Sequence, residues 1–177
     1  MNRKDFLRSA ALIAGATAVA APFVPASAAQ VKPAAKVTLK KSLSFGMIQE
    51  NLSLTDKFRL VKDLGFDGVE LNSPVDMDKN EILEAKVKSG IELPSVVNKD
   101  HWSKPLTDPD PEVRQQCIRS VARSLQEVKD FGGDTVLVVP GVVNDKVSYE
   151  QAYNTALQSV RELIPYAEET GMQIALE

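Results

Sequence analysis

The fold of this 177-residue chain is decided by the stretch from Gly132 to Val139, which reads Gly-Gly-Asp-Thr-Val-Leu-Val-Val. Before this stretch, apolar residues recur at the 3.6-residue period of an α-helix, and a glycine then stands where a helix C-cap favours a left-handed residue. The residues after it are apolar at consecutive positions, which is typical of a parallel strand that is covered on both faces. The stretch therefore predicts a helix, a tight connection and a buried parallel strand.

The same order of helix, glycine, short connector and strand recurs four times along the chain. The glycines at these joints are Gly65, Gly90, Gly132 and Gly171. A first strand within residues 43–47 completes the order βαβαβαβαβ. Right-handed crossovers fold such a chain into either a doubly wound sheet or a (β/α)8 barrel, and the periodicity leaves both open.

Apolar stripes at helical spacing indicate which residues of the four helices face a core. The stripes comprise Phe58, Val61 and Leu64 in the first helix, Ile82, Leu83 and Val87 in the second, Val113, Cys117, Ile118, Val121, Leu125 and Val128 in the third, and Ala152, Tyr153, Ala156, Leu157, Val160, Leu163 and Ile164 in the fourth. Pro165 is expected to kink the fourth helix or limit its length. Arg123 and Glu127 are interpreted as part of an exposed face of the third.

The N-terminal 28 residues have the order of a secretory signal: a charged start, an Ala-rich apolar run, and small residues before a cleavage site after Ala28. A membrane span of roughly 20 residues is the competing interpretation, but Pro22 and Pro25 interrupt the run. The opening Arg-Lys-Asp-Phe-Leu-Arg, residues 3–8, resembles a bacterial twin-arginine signal in which Lys4 replaces the second arginine. We expect an exported periplasmic or secreted protein with no stable membrane anchor, a linker at 29–41 and one domain at 42–177.

Charge and motif content exclude several functions. The net charge is −3, whereas nucleic-acid binding needs a basic surface. No glycine-rich phosphate loop follows the first strand, which argues against nucleotide binding. The single cysteine, Cys117, cannot form an internal disulfide and is expected to be a buried structural thiol rather than a nucleophile.

Polar residues cluster at or just after the predicted carboxyl ends of the strands, the edge where both architectures bind ligands. The candidates for a site are Glu70, Asn98, His101, Trp102 and Glu177. For Glu70, a substrate contact and a structural ion pair are both open. Trp102 either lines a sugar pocket beside His101 or plugs its long loop against the rim.

Four passages, at residues 64–71, 95–102, 132–140 and 171–177, resemble in this order the xylose-isomerase-like (AP endonuclease 2-type) barrel superfamily, in its sugar phosphate isomerase/epimerase branch. The resemblance covers about residues 42–177. It implies a partial (β/α)8 TIM barrel of about five parallel strands and four helices, since the complete fold closes eight strands and typically takes about 250 residues. The chain is accordingly interpreted as the N-terminal portion of such an enzyme.

The resemblance also implies a chemistry. Its members bind one divalent metal, expected to be Mn, Mg or Co, through Glu, Asp, His and Glu at the ends of strands five to eight. Glu177 falls on the first of these positions and would serve as metal ligand and as catalytic acid/base group. The other three positions have no counterpart, so this chain alone is expected to hold no complete metal site. In the complete fold, proton transfer through an enediolate would isomerise or epimerise a sugar, a sugar phosphate or a hydroxy-keto acid.

Two other hypotheses remain beside the enzyme. The chain could be a non-catalytic exported α/β module that oligomerises or binds a partner or a sugar, with Glu177 a solvated carboxylate and two bare sheet edges. The superfamily also includes endonuclease IV, but the acidic charge and the single histidine oppose that choice.

Overall fold

The computed structural model of the chain describes residues 39–177, in which five strands alternate with four helices. The strands are β1 (Ser42–Ser44), β2 (Gly68–Ser73), β3 (Ser95–Asn98), β4 (Thr135–Val138) and β5 (Gln173–Leu176). The helices are α1 (Leu54–Asp63), α2 (Lys79–Ser89), α3 (Pro111–Phe131) and α4 (Tyr149–Thr170). The predicted export signal at 1–28 and most of the predicted linker at 29–41 lie outside the described residues.

All five strands form one parallel sheet in the order β1-β2-β3-β4-β5. A doubly wound sheet reverses its strand order at a switch point, whereas a barrel adds each strand next to the previous one. The uninterrupted order therefore decides between the two architectures that the sequence left open. The predicted partial (β/α)8 barrel is confirmed.

Local signals define the ends of the helices. The side chains of Ser53, Asp78, Asp110 and Ser148 each accept a hydrogen bond from a backbone N–H of the first turn. Such caps satisfy donors that the helix itself leaves unpaired. At the other end of α3, the C-cap Gly132 has φ +77°, a left-handed conformation that side chains other than glycine rarely adopt.

The register of the sheet sorts the strand side chains onto two faces. Val69, Leu71, Val96, Val136 and Val138 are buried in one core cluster with the apolar residues of the helices. Because strand side chains alternate, the residues between them point to the opposite face. That open face carries Glu70, Asn72, Ser95, Val97, Thr135, Leu137 and Ala175.

The predicted helical stripes are wrong at several positions. Leu64 is exposed because α1 ends at Asp63, and Val87 is exposed while Ala85 is buried in its place. In α4, Tyr153, Leu157 and Ile164 are exposed. The part of the chain that the structure describes places no element over this side of α4, whereas Ala152 and Leu163 of the same helix are buried.

Pro165 does not end the fourth helix, since α4 continues through it to Thr170. The kink, the other expected effect of Pro165, stays a prediction. Pro165 and Arg161, whose carbonyl loses its usual N–H donor, are both exposed. Water can satisfy that carbonyl, which reduces the cost of the proline. None of the helices between residues 39 and 177 is both long and apolar enough to cross a membrane.

Gly133 is a position where the fold leaves no room for a side chain. A Cβ atom there would collide with the carbonyl oxygen of Leu93 and would lie 2.6 Å from that of Pro94, just before β3. We expect Gly133→Ala to lower the free energy of unfolding by about 1–3 kcal/mol, the usual cost of overpacking, as measured by urea denaturation. Gly46→Ala is the control, because its Cβ would make only an ordinary 3.6 Å contact with Asn72. Equal losses for the two variants would contradict the proposed clash.

Candidate active site

The side chain of Glu177 belongs to the open face of the sheet, at its carboxyl edge. Its backbone N–H donates to the carbonyl oxygen of Val138 at 3.2 Å and so extends the pairing of β4 with β5. Ala175 is opposite Leu137 in that pairing, and both lie on the open face. Strand alternation puts Glu177, two residues later, on the same face. This edge is where barrel enzymes bind their ligands.

Glu70 lies on the same face but lower in the sheet. Its carboxylate accepts a hydrogen bond from the Ser95 hydroxyl at 2.8 Å. Ser95 is opposite Thr135, which is opposite Gln173, four positions before Glu177. Among residues 39–177, the partner of Glu70 is thus a neutral hydroxyl and not a cation.

His101 is buried against the end of β4. Its Nδ1 accepts a hydrogen bond from the backbone N–H of Val139 at 3.3 Å, and its side chain is 3% exposed. Burial lowers the pKa of His101, while the negative charge of Glu177 acts in the opposite direction. Val139 follows Val138, which accepts the backbone N–H of Glu177, so the structure brings His101 and Glu177 together at the end of β4 although they are far apart in sequence.

Trp102 packs edge-on against His101, with ring centroids 5.3 Å apart and an angle of 80° between the planes. It is nevertheless 65% exposed. Such exposure fits an aromatic surface that is available to a ligand better than a plug that closes the loop against the rim.

Asn98 does not join these residues. Its side chain is fully buried on the helix side of β3, and its amide donates to the hydroxyls of Ser120 and Ser124 at 2.9 and 3.1 Å. Ser120 in turn donates to Asp100 at 2.6 Å. The arrangement turns Asn98 away from the open face. Asn98 therefore anchors the loop after β3 to α3, and the substrate contact that the sequence suggested for its side chain is wrong.

The sequence analysis missed Glu127, which it placed on an exposed helix face. The carboxylate is buried and accepts hydrogen bonds from the Ser73 hydroxyl at 2.6 Å, the Val75 N–H at 2.8 Å and Arg123 Nε at 2.8 Å. It thereby fixes the start of the loop after β2. Because Val75 and Ser73 are 52 and 54 residues distant along the chain, helical periodicity offered no signal for these two contacts.

The donor set for a divalent metal is incomplete. No group of three or more His, Cys, Asp or Glu side chains within residues 39–177 is placed to hold one ion. Glu177 and the buried His101 do not meet that requirement by themselves, because stable sites for such ions need several donors. A bound metal would need donors beyond those of residues 39–177.

Known proteins resemble the chain in sequence. A sequence model of the family described as xylose isomerase-like TIM barrel matches residues 58–177. The L-ribulose-5-phosphate 3-epimerases of Escherichia coli (strain SE11) and Shigella flexneri are each 25% identical to it over 158 residues, which covers 78% of this chain and 54% of the relative. The chain thus spans about half the length of the curated relatives it matches.

Solved structures agree with the sequence comparison. The 3-keto-D-glucoside 4-epimerase from Escherichia coli superposes with a TM-score of 0.67 at 21% identity, covering 78% of this chain and 56% of that one. D-psicose 3-epimerase from Clostridium cellulolyticum H10 gives a TM-score of 0.64 at 20% identity, with 78% and 52% covered. At these identities the likeness shows the fold, a TIM barrel of which this chain supplies part.

Glu127 offers a test of the contacts that hold the loop after β2. Glu127→Gln removes the charge that three donors share, and we expect the free energy of unfolding to fall by about 1–3 kcal/mol in urea denaturation. The matched control is Glu84→Gln on α2, whose partner Lys88 is also four residues away but whose ion pair is exposed. That substitution is expected to cost at most about 0.5 kcal/mol. Similar losses for both would show that Glu127 makes only a surface ion pair.

Cys117 provides a second test, because the chain contains no other cysteine. Burial is the main cause that raises the pKa of its thiol to about 12, and the side chain is fully buried. Since the thiolate is the reactive form, the thiol should be inert toward a disulfide reagent at pH 8 in the native state. One equivalent should react after unfolding in guanidinium chloride. Rapid labelling of the native protein would contradict the structural role that the sequence predicts.

Proposed function

The chain belongs to the xylose isomerase-like TIM barrel family, and on this premise we propose that it contributes part of the active site of a sugar epimerase or isomerase. The observation that carries the proposal is the place of Glu177. It follows β5 on the open face, at the carboxyl edge of a parallel sheet, and its charge acts on the buried His101. The epimerases named above support the sugar class of substrate.

In this proposal, Glu177 moves a proton. A carboxylate beside the substrate removes the proton from the carbon next to the carbonyl group of a ketose or a hydroxy-keto acid. The electron pair of the broken C–H bond moves toward the carbonyl oxygen, which gives an enediolate. If a second acid group on the other side of the substrate protonates the other face of the same carbon, its configuration is inverted; if Glu177 returns its proton to the neighbouring carbon, the sugar is isomerised.

The site residues divide between direct and indirect roles. Glu70, His101 and Trp102 are proposed to contact the substrate, since Glu70 shares the open face and Trp102 is exposed beside His101. Asn98 is proposed to act by holding the loop that carries His101 and Trp102. A divalent metal such as Mn, Mg or Co would bind through Glu177 only if donors beyond residues 39–177 complete its site.

Two further parts of the proposal rest on the sequence alone. We propose that residues 1–28 direct export to the periplasm or the medium, and that the domain begins near residue 42. The N-terminal sequence of the protein recovered from a bacterial periplasm tests the export signal, because export with cleavage after Ala28 would leave Ala29 as the first residue.

A second candidate is a non-catalytic module that pairs with a second copy of itself. The observation that favours it is a groove of about 330 Å³ beside β5, whose lining includes Val143, Tyr149, Tyr153, Leu157 and Leu176. Their side chains are at least 40% exposed, and apolar surface of this kind marks interaction sites. Light scattering separates the candidates: this one requires a dimer, which Leu157→Asp should dissociate, and a monomeric wild type contradicts it.

The acid/base role of Glu177 is tested by hydrogen exchange. The polypeptide of the complete open reading frame is incubated in D2O with L-ribulose-5-phosphate or D-tagatose and Mn²⁺. Proton NMR should show deuterium entering at the carbon next to the carbonyl. Glu177→Gln should slow this exchange by about 100-fold or more, as expected for the loss of a general base.

Glu168→Gln is the control for that measurement, because Glu168 is exposed on α4 away from the open face. It should leave the exchange rate unchanged. Absence of exchange with the wild type, or an unchanged rate in the Glu177→Gln variant, would contradict the enzymatic proposal.

A further inference from the structure

The hydrogen bond to His101 defines which of its ring nitrogens carries a proton. A backbone N–H can only donate, so Nδ1, which receives the Val139 N–H, must present a lone pair. The imidazole is therefore neutral and its proton is on Nε2. Burial favours the same neutral state, because a charged ring would lose its hydration.

The position of the ring is fixed from several sides. Trp102 packs against it edge-on, and the loop that carries both is tied to the helix layer at two points. Ser120 on α3 donates to Asp100 just before His101, and Ser159 on α4 donates to the carbonyl oxygen of Leu106 just after it. A ring that is held in this way is preorganised for a directional hydrogen bond.

The remaining nitrogen, Nε2, is directed away from the β4 backbone. Among residues 39–177, Nε2 makes no hydrogen bond. In the same residues, every side-chain nitrogen or oxygen atom that is fully buried has a hydrogen-bond partner. The Nε2–H group therefore reaches accessible space. Val139, which binds the ring, follows Val138, whose carbonyl oxygen accepts the N–H of Glu177, so His101 lies beside Glu177 at the carboxyl edge of the sheet.

We propose that His101 is a neutral hydrogen-bond donor, through Nε2–H, to an oxygen of the sugar that Glu177 deprotonates. This inference rests on the proposed function above and deepens it. The acceptor is the carbonyl oxygen next to the C–H bond that breaks, because negative charge develops there as the proton leaves. A donor aimed at that oxygen stabilises the transition state more than the ground state. His101 is thus assigned as a fixed donor and not as a second base.

The tautomer is tested first, without any substrate. Because the sequence contains one histidine, a ¹⁵N-labelled and untagged sample gives one pair of imidazole resonances. At pH 7 we expect Nδ1 to resonate as an unprotonated nitrogen and Nε2 as a protonated one. The opposite assignment, or a doubly protonated ring, would overturn the inference whatever the activity.

The donor role is tested with a matched pair of variants. In His101→Asn, the amide oxygen can still accept the Val139 N–H, but no donor remains at the position of Nε2. In His101→Gln, the longer side chain can place an amide N–H near that position. In the deuterium exchange assay, we expect His101→Asn to lower kcat by about 10- to 100-fold. The midpoint of its urea unfolding should stay within about 0.3 M of the wild type. His101→Gln should recover at least part of the exchange rate.

The outcomes separate this inference from the proposed function. If the wild type exchanges and His101→Asn exchanges equally fast, the donor role fails while the epimerase proposal stands. If His101→Asn is slow only because it unfolds, a lowered urea midpoint shows this. In that case the folded His101→Gln variant is compared with an equally folded His101→Phe variant, which has no donor. An exchange rate of His101→Gln that does not exceed that of His101→Phe overturns the donor role. If the wild type does not exchange, both proposals fail.

Discussion

The hydrogen-bond register between neighbouring parallel strands is the constraint on which the rest of the structure depends. Cα partners on adjacent strands share a face, so a single alternation passes from β2 through β5. One set of side chains is mainly apolar and closes the core with the helices. The other set forms the open face, which includes Glu70 and, at its carboxyl edge, Glu177. The open face is therefore a consequence of the same strand pairing that builds the core.

Helix α3 connects this core to the loops at the carboxyl edge. Besides its apolar stripe it buries three polar residues, Ser120, Ser124 and Glu127. Burying such groups costs free energy unless they are hydrogen-bonded, and each of these has a partner at the end of β2 or β3 or in the loop that follows. The helix thus holds both loops at defined positions, including the loop that carries His101 and Trp102.

The side of the structure beyond β5 has a different character. The groove beside α4 is lined by exposed apolar residues, whereas the opposite side of the same helix packs on α3. In a (β/α)8 barrel every helix lies between two others, so a helix at the end of a partial set presents one uncovered flank. This explains why a periodic stripe that was correctly assigned to a helix gave wrong burial for Tyr153 and Leu157.

The sequence by itself determined the order of strands and helices, the glycine joints and the burial of Cys117. These features depend on residues that are close together along the chain, where periodicity and backbone conformation leave a readable pattern. It also located the carboxyl edge and Glu177. Only the tertiary structure decided that the sheet adds strands without reversal, that Asn98 and Glu127 turn into the helix layer, and that His101 receives the N–H of Val139. Each of these outcomes needs contacts between residues some 20 to 50 positions apart, which no local pattern encodes.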